Sequence, residues 1–521
     1  MAWYDEAVFY HIYPLGLTGA PMRNDYGEPQ HRLRGIFPWI DHIQELGCNA
    51  LYIGPLFESQ THGYDTTDYR KLDSRLGTNQ DLKDFVVACH AKNIRVVLDG
   101  VFNHTGRDFF AFRDIQEHRE YSQHRDWYCN VDFHGDTEYH DGFSYENWGG
   151  YNLLVKLNQR NPAVQEYLCD TVRFWVSEFD IDGIRLDAAD VLDFDFMRRL
   201  RQTADTVKPD FWLMGEVIHG DYGRWLAPGV LHSVTNYRLH KALYSGHNDH
   251  NYFEIAHTVR ETNLKWKLYN FVDNHDVARI ASKLNAKSNL LPVHVLLYTL
   301  PGVPSIYYGS EFGIEGKKER WSDASLRPEL HLEDFQGSDL AQVIAALGRL
   351  RQETPVFAYG DYEEKLLTNK TYAFTRSLEG LTALVTVNNA NNGEDLFIRD
   401  LPQGTYIGWL TGQKVTTRDG GLPISLPPHS GEVWLPEGVD IQVPKPVQVT
   451  FQPAEEPKPR EPQTLEPQEP NKPYDEMTVE ELQQAILAKM AKNGPITDRM
   501  YRDVAENVYR DSLLNWVRSF R

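Results

Sequence analysis

Four short stretches carry acids, three of them beside a base or an amide: DGVFNH (99–104), GIRLD (183–187), GEV (215–217) and FVDNHD (271–276). Asp187 and Glu216 stand 29 residues apart (216 − 187), and Glu216 and Asp276 stand 60 apart (276 − 216). Carboxylates that converge either hold a metal ion or divide proton transfer and covalent attack between them. A tight metal site would show closely spaced histidines, as in H-E-x-x-H, and no such motif occurs. Acid–base work needs carboxyls of unlike acidity. Neighbouring charge and burial raise one of them, which then keeps its proton near neutral pH. Arg185 lies two residues before Asp187, on the same side of an extended strand, and would hold Asp187 ionised. Any one of these acids alone reads as a surface ion pair or a helix cap. Their joint spacing does not.

The spacing is that of a repeating strand–helix unit. Eight β-branched or aromatic runs occupy 7–13, 49–55, 93–100, 181–187, 210–216, 231–237, 268–274 and 302–309. Helix-like stretches separate them, such as 82–93 and 162–179, the second with apolar residues at helical spacing and Pro162 in its first turn. Eight strands alternating with helices predict an α/β fold, a (β/α)8 TIM barrel, whose chemistry sits at the C-terminal ends of the strands. Asp99, Asn103 and His104 then follow strand 3, Arg185 and Asp187 close strand 4, Glu216 closes strand 5, and Asp273 to Asp276 follow strand 7. Two facing carboxyls over such a pocket suit cleavage of a glycosidic bond. One protonates the leaving oxygen while the other attacks or activates water.

One interval is too long. Asp99 to Asp187 spans 88 residues, against about 30 for one βα unit. The excess, 105–156, reads as a small domain inserted after strand 3, which leaves 1–104 and 157–355 to the barrel. From 356 to 442 short alternating strands such as LTALVTVNN predict an antiparallel β-sandwich. Residues 443–475 read as a linker, with nine prolines in 443–473. Residues 476–521 read as a helical C-terminal extension. There Thr478 and Glu481 suggest a capping box, and Val479, Leu482, Ile486 and Met490 share one helical face. After the break at Asn493-Gly494-Pro495, Met500, Val504, Val508, Leu514 and Val517 suggest a second helix. The extension is either a hairpin docked on its own chain or an arm for a homo-oligomer.

The net charge of −21 disfavours nucleic acid or an anionic membrane as partner. Four widely spaced cysteines form neither a zinc motif nor a disulfide scaffold. The start, MAWYDEAVFYHIYPLG, has no basic residue before its apolar run, and no apolar run reaches the ~18 residues of a membrane span. These features predict a cytoplasmic protein. Its 28 Tyr, 24 Phe and 12 Trp are core fillers first. Exposed ones would also suit stacking on sugar rings.

The ordered set of motifs, with GYDTTDY (63–69), LVKLN (154–158) and PGVPSIYYGSE (301–311), resembles the α-amylase family, glycoside hydrolase family 13, over about residues 7–440. The resemblance implies a retaining double displacement with no required cofactor. It assigns Asp187 as nucleophile, Glu216 as general acid/base and Asp276 as the third carboxylate. Arg185 would orient the nucleophile, with Asp99 supporting it. His104 and His275 would hold the reacting sugar over Tyr64. Asn103 matches an asparagine that binds calcium in many members, which leaves calcium an open option. LVKLN and its surroundings resemble neopullulanases, cyclomaltodextrinases and maltogenic amylases, although their N-terminal carbohydrate-binding domain has no counterpart ahead of the strand at residue 7. Ile218 stands where those enzymes often carry Trp. The implied activity is hydrolysis of α-1,4 bonds in maltooligosaccharides, with cyclodextrins or pullulan as further substrates. A glucan transferase such as a 4-α-glucanotransferase, a sucrose- or trehalose-active enzyme, and a non-catalytic glucan-binding protein are the alternatives. The last would not need all of Asp187, Glu216, Asp276, Arg185, His104 and His275.

Overall fold

The computed structural model describes residues 2–319, 322–335, 337–439, 473–474, 477, 479–493 and 517–518. Eight parallel strands form one sheet: β1 (Phe9–Ile12), β2 (Ala50–Ile53), β3 (Arg95–Gly100), β4 (Gly183–Leu186), β5 (Trp212–Gly215), β6 (Ser233–Val234), β7 (Tyr269–Phe271) and β8 (Val303–Tyr307). They lie in the spatial order β6-β5-β4-β3-β2-β1-β8-β7, and a parallel bridge from Thr235 to Tyr269 joins the two ends into a barrel. Each strand falls inside one of the eight runs expected from the sequence.

Alternation along the strands separates two packing environments. In β4, Ile184 and Leu186 join the large core between sheet and helices. Arg185 lies on the other face, which points into the barrel. The interior is filled by Phe9, Tyr52, Val97, Trp212, Met214, Tyr269 and Phe271, with the rings of Phe9 and Trp212 4.9 Å apart. The barrel is therefore solid below its rim. Gly183 is required by this packing, since a Cβ there would stand 2.7 Å from the Trp212 carbonyl oxygen.

The helix expected at 162–179 runs Pro162–Phe179. Asn161 caps it by accepting a hydrogen bond from Ala163 N, and Asp180 ends it in a left-handed conformation. The segment 105–156 carries a helix, Phe110–His118, and two strands, Asn147–Trp148 and Tyr151–Lys156. Tyr151–Lys156 also pairs with His104–Thr105.

Beyond the barrel, a six-stranded antiparallel sheet faces a two-stranded one, Glu394–Arg399 with Gly421–Leu426. Ala373, Leu384, Ile398, Tyr406, Ile424 and Trp434 fill the space between them. The strand Asp361–Leu367, DYEEKLL, is not apparent from sequence. It is an edge strand carrying Asp361, Glu363, Glu364 and Lys365, which hides the alternation while keeping the edge from pairing further.

A separate compact unit includes the helix Val479–Asn493. Leu482, Ile486 and Met490 are buried in it together with Ala485, Leu487, Met477 and Val517. The linker at 443–475, apart from residues 473 and 474, lies outside the described residues. So do Thr478 of the capping box and the second helix apart from Val517. Among the described residues no helix is long and apolar enough to cross a membrane.

Candidate active site

The ladder β3-β4-β5 sets the site's geometry. Asp99 pairs with Arg185, and Arg185 pairs with Met214, so the acid and the arginine are level neighbours on the inner face. One residue beyond the strands, Asp187 N donates to Gly100 O (3.1 Å) and Glu216 N to Leu186 O (2.9 Å). The rim thus continues the sheet's order for one more step, and the carboxylates at 99, 187 and 216 gather around one guanidinium. Arg185 Nη1 reaches Asp99 Oδ1 (2.9 Å) and Asp187 Oδ1 (2.8 Å), while Nη2 reaches Glu216 Oε2 (2.9 Å).

Three carboxylates share this one cation. Burial pushes the Asp187 carboxyl well above the usual carboxylate range; Arg185 pulls it down, and Glu216 and Asp99 push it up again. The sequence reading, in which Arg185 simply keeps Asp187 ionised, therefore holds only in part. Sequence spacing identifies the arginine's nearest acid but not its other two.

Asp276 has the opposite balance. Burial raises it, but His275 and Arg327 outweigh that, with Arg185 adding to them, and hold it well below the usual range. Its Oδ2 lies 3.0 Å from His275 Nε2 and its Oδ1 accepts from Arg327 Nη2 at 2.9 Å. Tyr64 joins the two halves of the site. Its hydroxyl donates to Asp99 Oδ2 (3.1 Å) and contacts His275 Nε2, and its ring lies nearly parallel to the His275 ring, at 9° and 5.5 Å. His104 Nδ1 faces the Asn103 amide nitrogen (3.1 Å) and so must accept. Its Nε2–H then donates to Tyr64 O (3.0 Å). Burial lowers His104 to about 3, so it stays neutral.

All eight residues singled out from sequence, Asp99, Asp187, Glu216, Asp276, Arg185, His104, His275 and Tyr64, belong to this connected cluster. Asn103 lies beside it, buried, with Oδ1 unpartnered. Among the described residues no group of three or more His, Cys, Asp or Glu side chains gathers to hold a metal. One orphaned amide oxygen does not make the six-to-eight-oxygen shell of calcium. Two acids near these in sequence, Asp190 just after GIRLD and Asp273 in FVDNHD, stand apart. Asp190 is exposed on a short turn. Asp273 is buried, accepting from Ile280 N (2.7 Å) and Ser310 Oγ (2.8 Å).

Sequence reasoning missed four participants. Tyr237 donates to Glu216 Oε1 (3.2 Å) and accepts from Asn274 Nδ2 (3.2 Å). It stands three residues past the end of β6, at the start of the next helix, so the strand-end rule that found Glu216 would have found it had tyrosines been considered along with acids. Tyr52 Oη donates to Asp99 Oδ2 (2.8 Å). Ala188 donates its N–H to Glu216 Oε2 (3.1 Å) from a left-handed conformation, φ 46°. This conformation is uncommon for a residue with a Cβ and is held here by its surroundings. Arg327 comes from an irregular loop with no periodicity to reveal it.

Residues 22–349 match the family model "Alpha amylase, catalytic domain". The chain is 30% identical over 423 residues to a cyclomaltodextrinase of Thermoanaerobacter pseudethanolicus, covering 77% of this chain and 73% of that protein. It is 30% identical over 461 residues to neopullulanase 2 of Thermoactinomyces vulgaris, covering 83% and 78%. Among solved structures, a Nostoc punctiforme debranching enzyme superposes with a TM-score of 0.72 at 27% identity, covering 83% of this chain and 98% of that one. The chain belongs to the α-amylase family of glycoside hydrolases and is similar to its cyclomaltodextrinase, maltogenic amylase and neopullulanase members.

Proposed function

We propose that this chain hydrolyses α-1,4-glucosidic bonds of maltooligosaccharides by a retaining double displacement, with cyclodextrins or pullulan as further substrates. The observation that carries the reading is the single Arg185 guanidinium bridging Asp187 and Glu216. The bridge keeps the two carboxyls close, which favours direct attack over the wider gap that a water needs in an inverting enzyme.

In this mechanism Glu216 gives its proton to the glycosidic oxygen while an Asp187 oxygen attacks the anomeric carbon. The bond to the leaving sugar breaks and a glycosyl ester forms. Glu216 then takes a proton from water, the water oxygen attacks the same carbon, and the ester bond to Asp187 breaks with overall retention. Arg185 stabilises the Asp187 carboxylate as it leaves. Asp276, held as an anion by His275 and Arg327, accepts sugar hydroxyls and favours the positive charge that develops on the ring.

The test is a product time course on maltoheptaose, β-cyclodextrin and pullulan, with Glu216→Gln protein as control and NMR of the first-formed anomer. Short α-configured maltooligosaccharides, absent in the control, are expected. Products longer than the substrate would assign the chain to the transferases, and β-configured products would overturn the double displacement.

A further inference from the structure

We propose that Arg75 is a positioning residue for the reaction: its guanidinium ties the loop after β2, to which it belongs, to the loop after β1, and so holds Tyr64 and Tyr13 against His275. This rests on the hydrolase reading above. Arg75 stands in the turn after the strand Thr66–Leu72, where Asp73 Oδ1 accepts from Arg75 N (3.0 Å). An aspartate makes this bond readily to the amide two residues on, and it folds the arginine back over its own acid. Nε then donates to Asp73 Oδ1 (2.8 Å) and Nη2 to Asp73 Oδ2 (2.7 Å), a paired contact that uses one edge of the fork. Both side chains are buried, and the acid alone would satisfy the charge.

The rest of the fork reaches toward the site. Nη1 donates to the carbonyl oxygens of Thr61 (2.7 Å), Pro21 (2.9 Å) and Met22 (3.2 Å), and Nη2 donates also to Ser59 Oγ (2.8 Å). Pro21, Met22 and Thr61 lie on irregular backbone, where no ladder satisfies a carbonyl and the arginine takes that place. Beyond Thr61 the loop is tied to itself, with Thr61 Oγ1 donating to Asp65 Oδ2 (3.0 Å) and Tyr64 N to His62 Nδ1 (3.2 Å). From the end of β1, Tyr13 Oη donates to His62 O (2.5 Å). The rings of Tyr64 and Tyr13 both lie nearly parallel to the His275 ring, at 9° and 14° and at 5.5 and 5.9 Å, and His275 in turn contacts Asp276. A lysine could pair with Asp73, but a point charge with three donors cannot also span two loops.

The experiment measures kcat on maltoheptaose for Arg75→Lys and Arg75→Ala, each with and without Tyr64→Ala, at a temperature where circular dichroism shows the proteins folded. Lysine keeps Asp73 paired, so Arg75→Lys should fold while its kcat drops about tenfold. Arg75→Ala should lose about a hundredfold. Guanidinium chloride far below denaturing concentrations should restore about fivefold of that, where sodium chloride at equal ionic strength restores nothing. Once Tyr64 is alanine, neither replacement at 75 should cost more than about twofold further. Wild-type kcat in Arg75→Lys, or a loss undiminished beside Tyr64→Ala, would overturn the positioning role and leave the hydrolase reading intact, as would a folded Arg75→Ala protein that guanidinium leaves unchanged. If Arg75→Ala does not fold, Arg75→Lys decides. A wild type that leaves maltoheptaose intact would instead overturn the hydrolase reading, and this inference with it.

Discussion

Asp182 and Asp187 flank the same strand, five positions apart, and live in opposite electrostatic worlds. At the floor of the barrel, Asp182 accepts from Val96 N (2.9 Å) and lies within 3.0 Å of His90 Nε2, Arg95 Nη1 and Lys208 Nζ. Burial pushes this carboxyl up, but His90, the Val96 amide and Lys208 outweigh it and hold it at about 2. At the rim, Asp187 divides one guanidinium with two other acids and is driven the other way. Several donors around one acid make a stabilising clamp. Several acids around one donor make a reactive cluster whose protonation is easily shifted. The first ratio serves the fold, and on the proposed mechanism the second serves the reaction.

Exchanging charge for amide at each end separates the two roles. Asp187→Asn and Glu216→Gln should each cut kcat by at least about 10⁴-fold, with Tm not lowered in either and raised in Asp187→Asn, where a charge that burial disfavours has been removed. A lower Tm together with retained turnover would break the comparison. Asp182→Asn should do the reverse. It leaves cations facing a neutral amide, and urea denaturation should show a loss of about 3 kcal/mol while kcat at 25 °C stays near wild type. Tyr237→Phe tests the rim more finely. Losing one hydrogen bond to Glu216 should lower kcat about five- to tenfold, with Tm moving by no more than about 2 °C. A loss as deep as that of Glu216→Gln would give Tyr237 a part in the chemistry itself.

The smallest effect is one of sign. Asp182 has a folded pKa below its unfolded one, so its stabilisation of about 2 kcal/mol is present above roughly pH 4 and is lost as pH falls toward 2. Asp187 has a folded pKa above its unfolded one, so the native state takes up its proton first, and stability rises as pH falls through that raised value. Near neutral pH the stability curve of Asp182→Asn should therefore lie below wild type and that of Asp187→Asn above it, with both gaps closing as pH falls through the respective folded pKa. Parallel curves would show that the two ends of the strand are not opposed.

The barrel was legible because its strands are buried on both faces and bounded by turns, and because its acids recur at strand–helix spacing. The helix Pro162–Phe179 was legible to the residue, since Pro162 in the first turn and the aspartates just past Phe179 are local start and stop signals. Asp187 and Glu216 could be placed at the rim from numbering alone. Arg327 could not, because its loop has no period, and neither could the sharing of Arg185. Spacing tells which residues share a face, whereas competition for a cation depends on three strands meeting. The strand Asp361–Leu367 was masked by the charges that protect its edge.

Between the two aspartates lies the plug of Phe9, Tyr52, Val97, Trp212 and Met214. It makes the rim an editable surface for evolution. On the proposed mechanism, a single-base change of Asp to Asn at position 187 would silence the reaction without disturbing the clamp at 182 or the packing between. A lineage could thus convert this hydrolase into a sugar-holding protein in one step, and revert it as easily, with the barrel as an unchanged chassis.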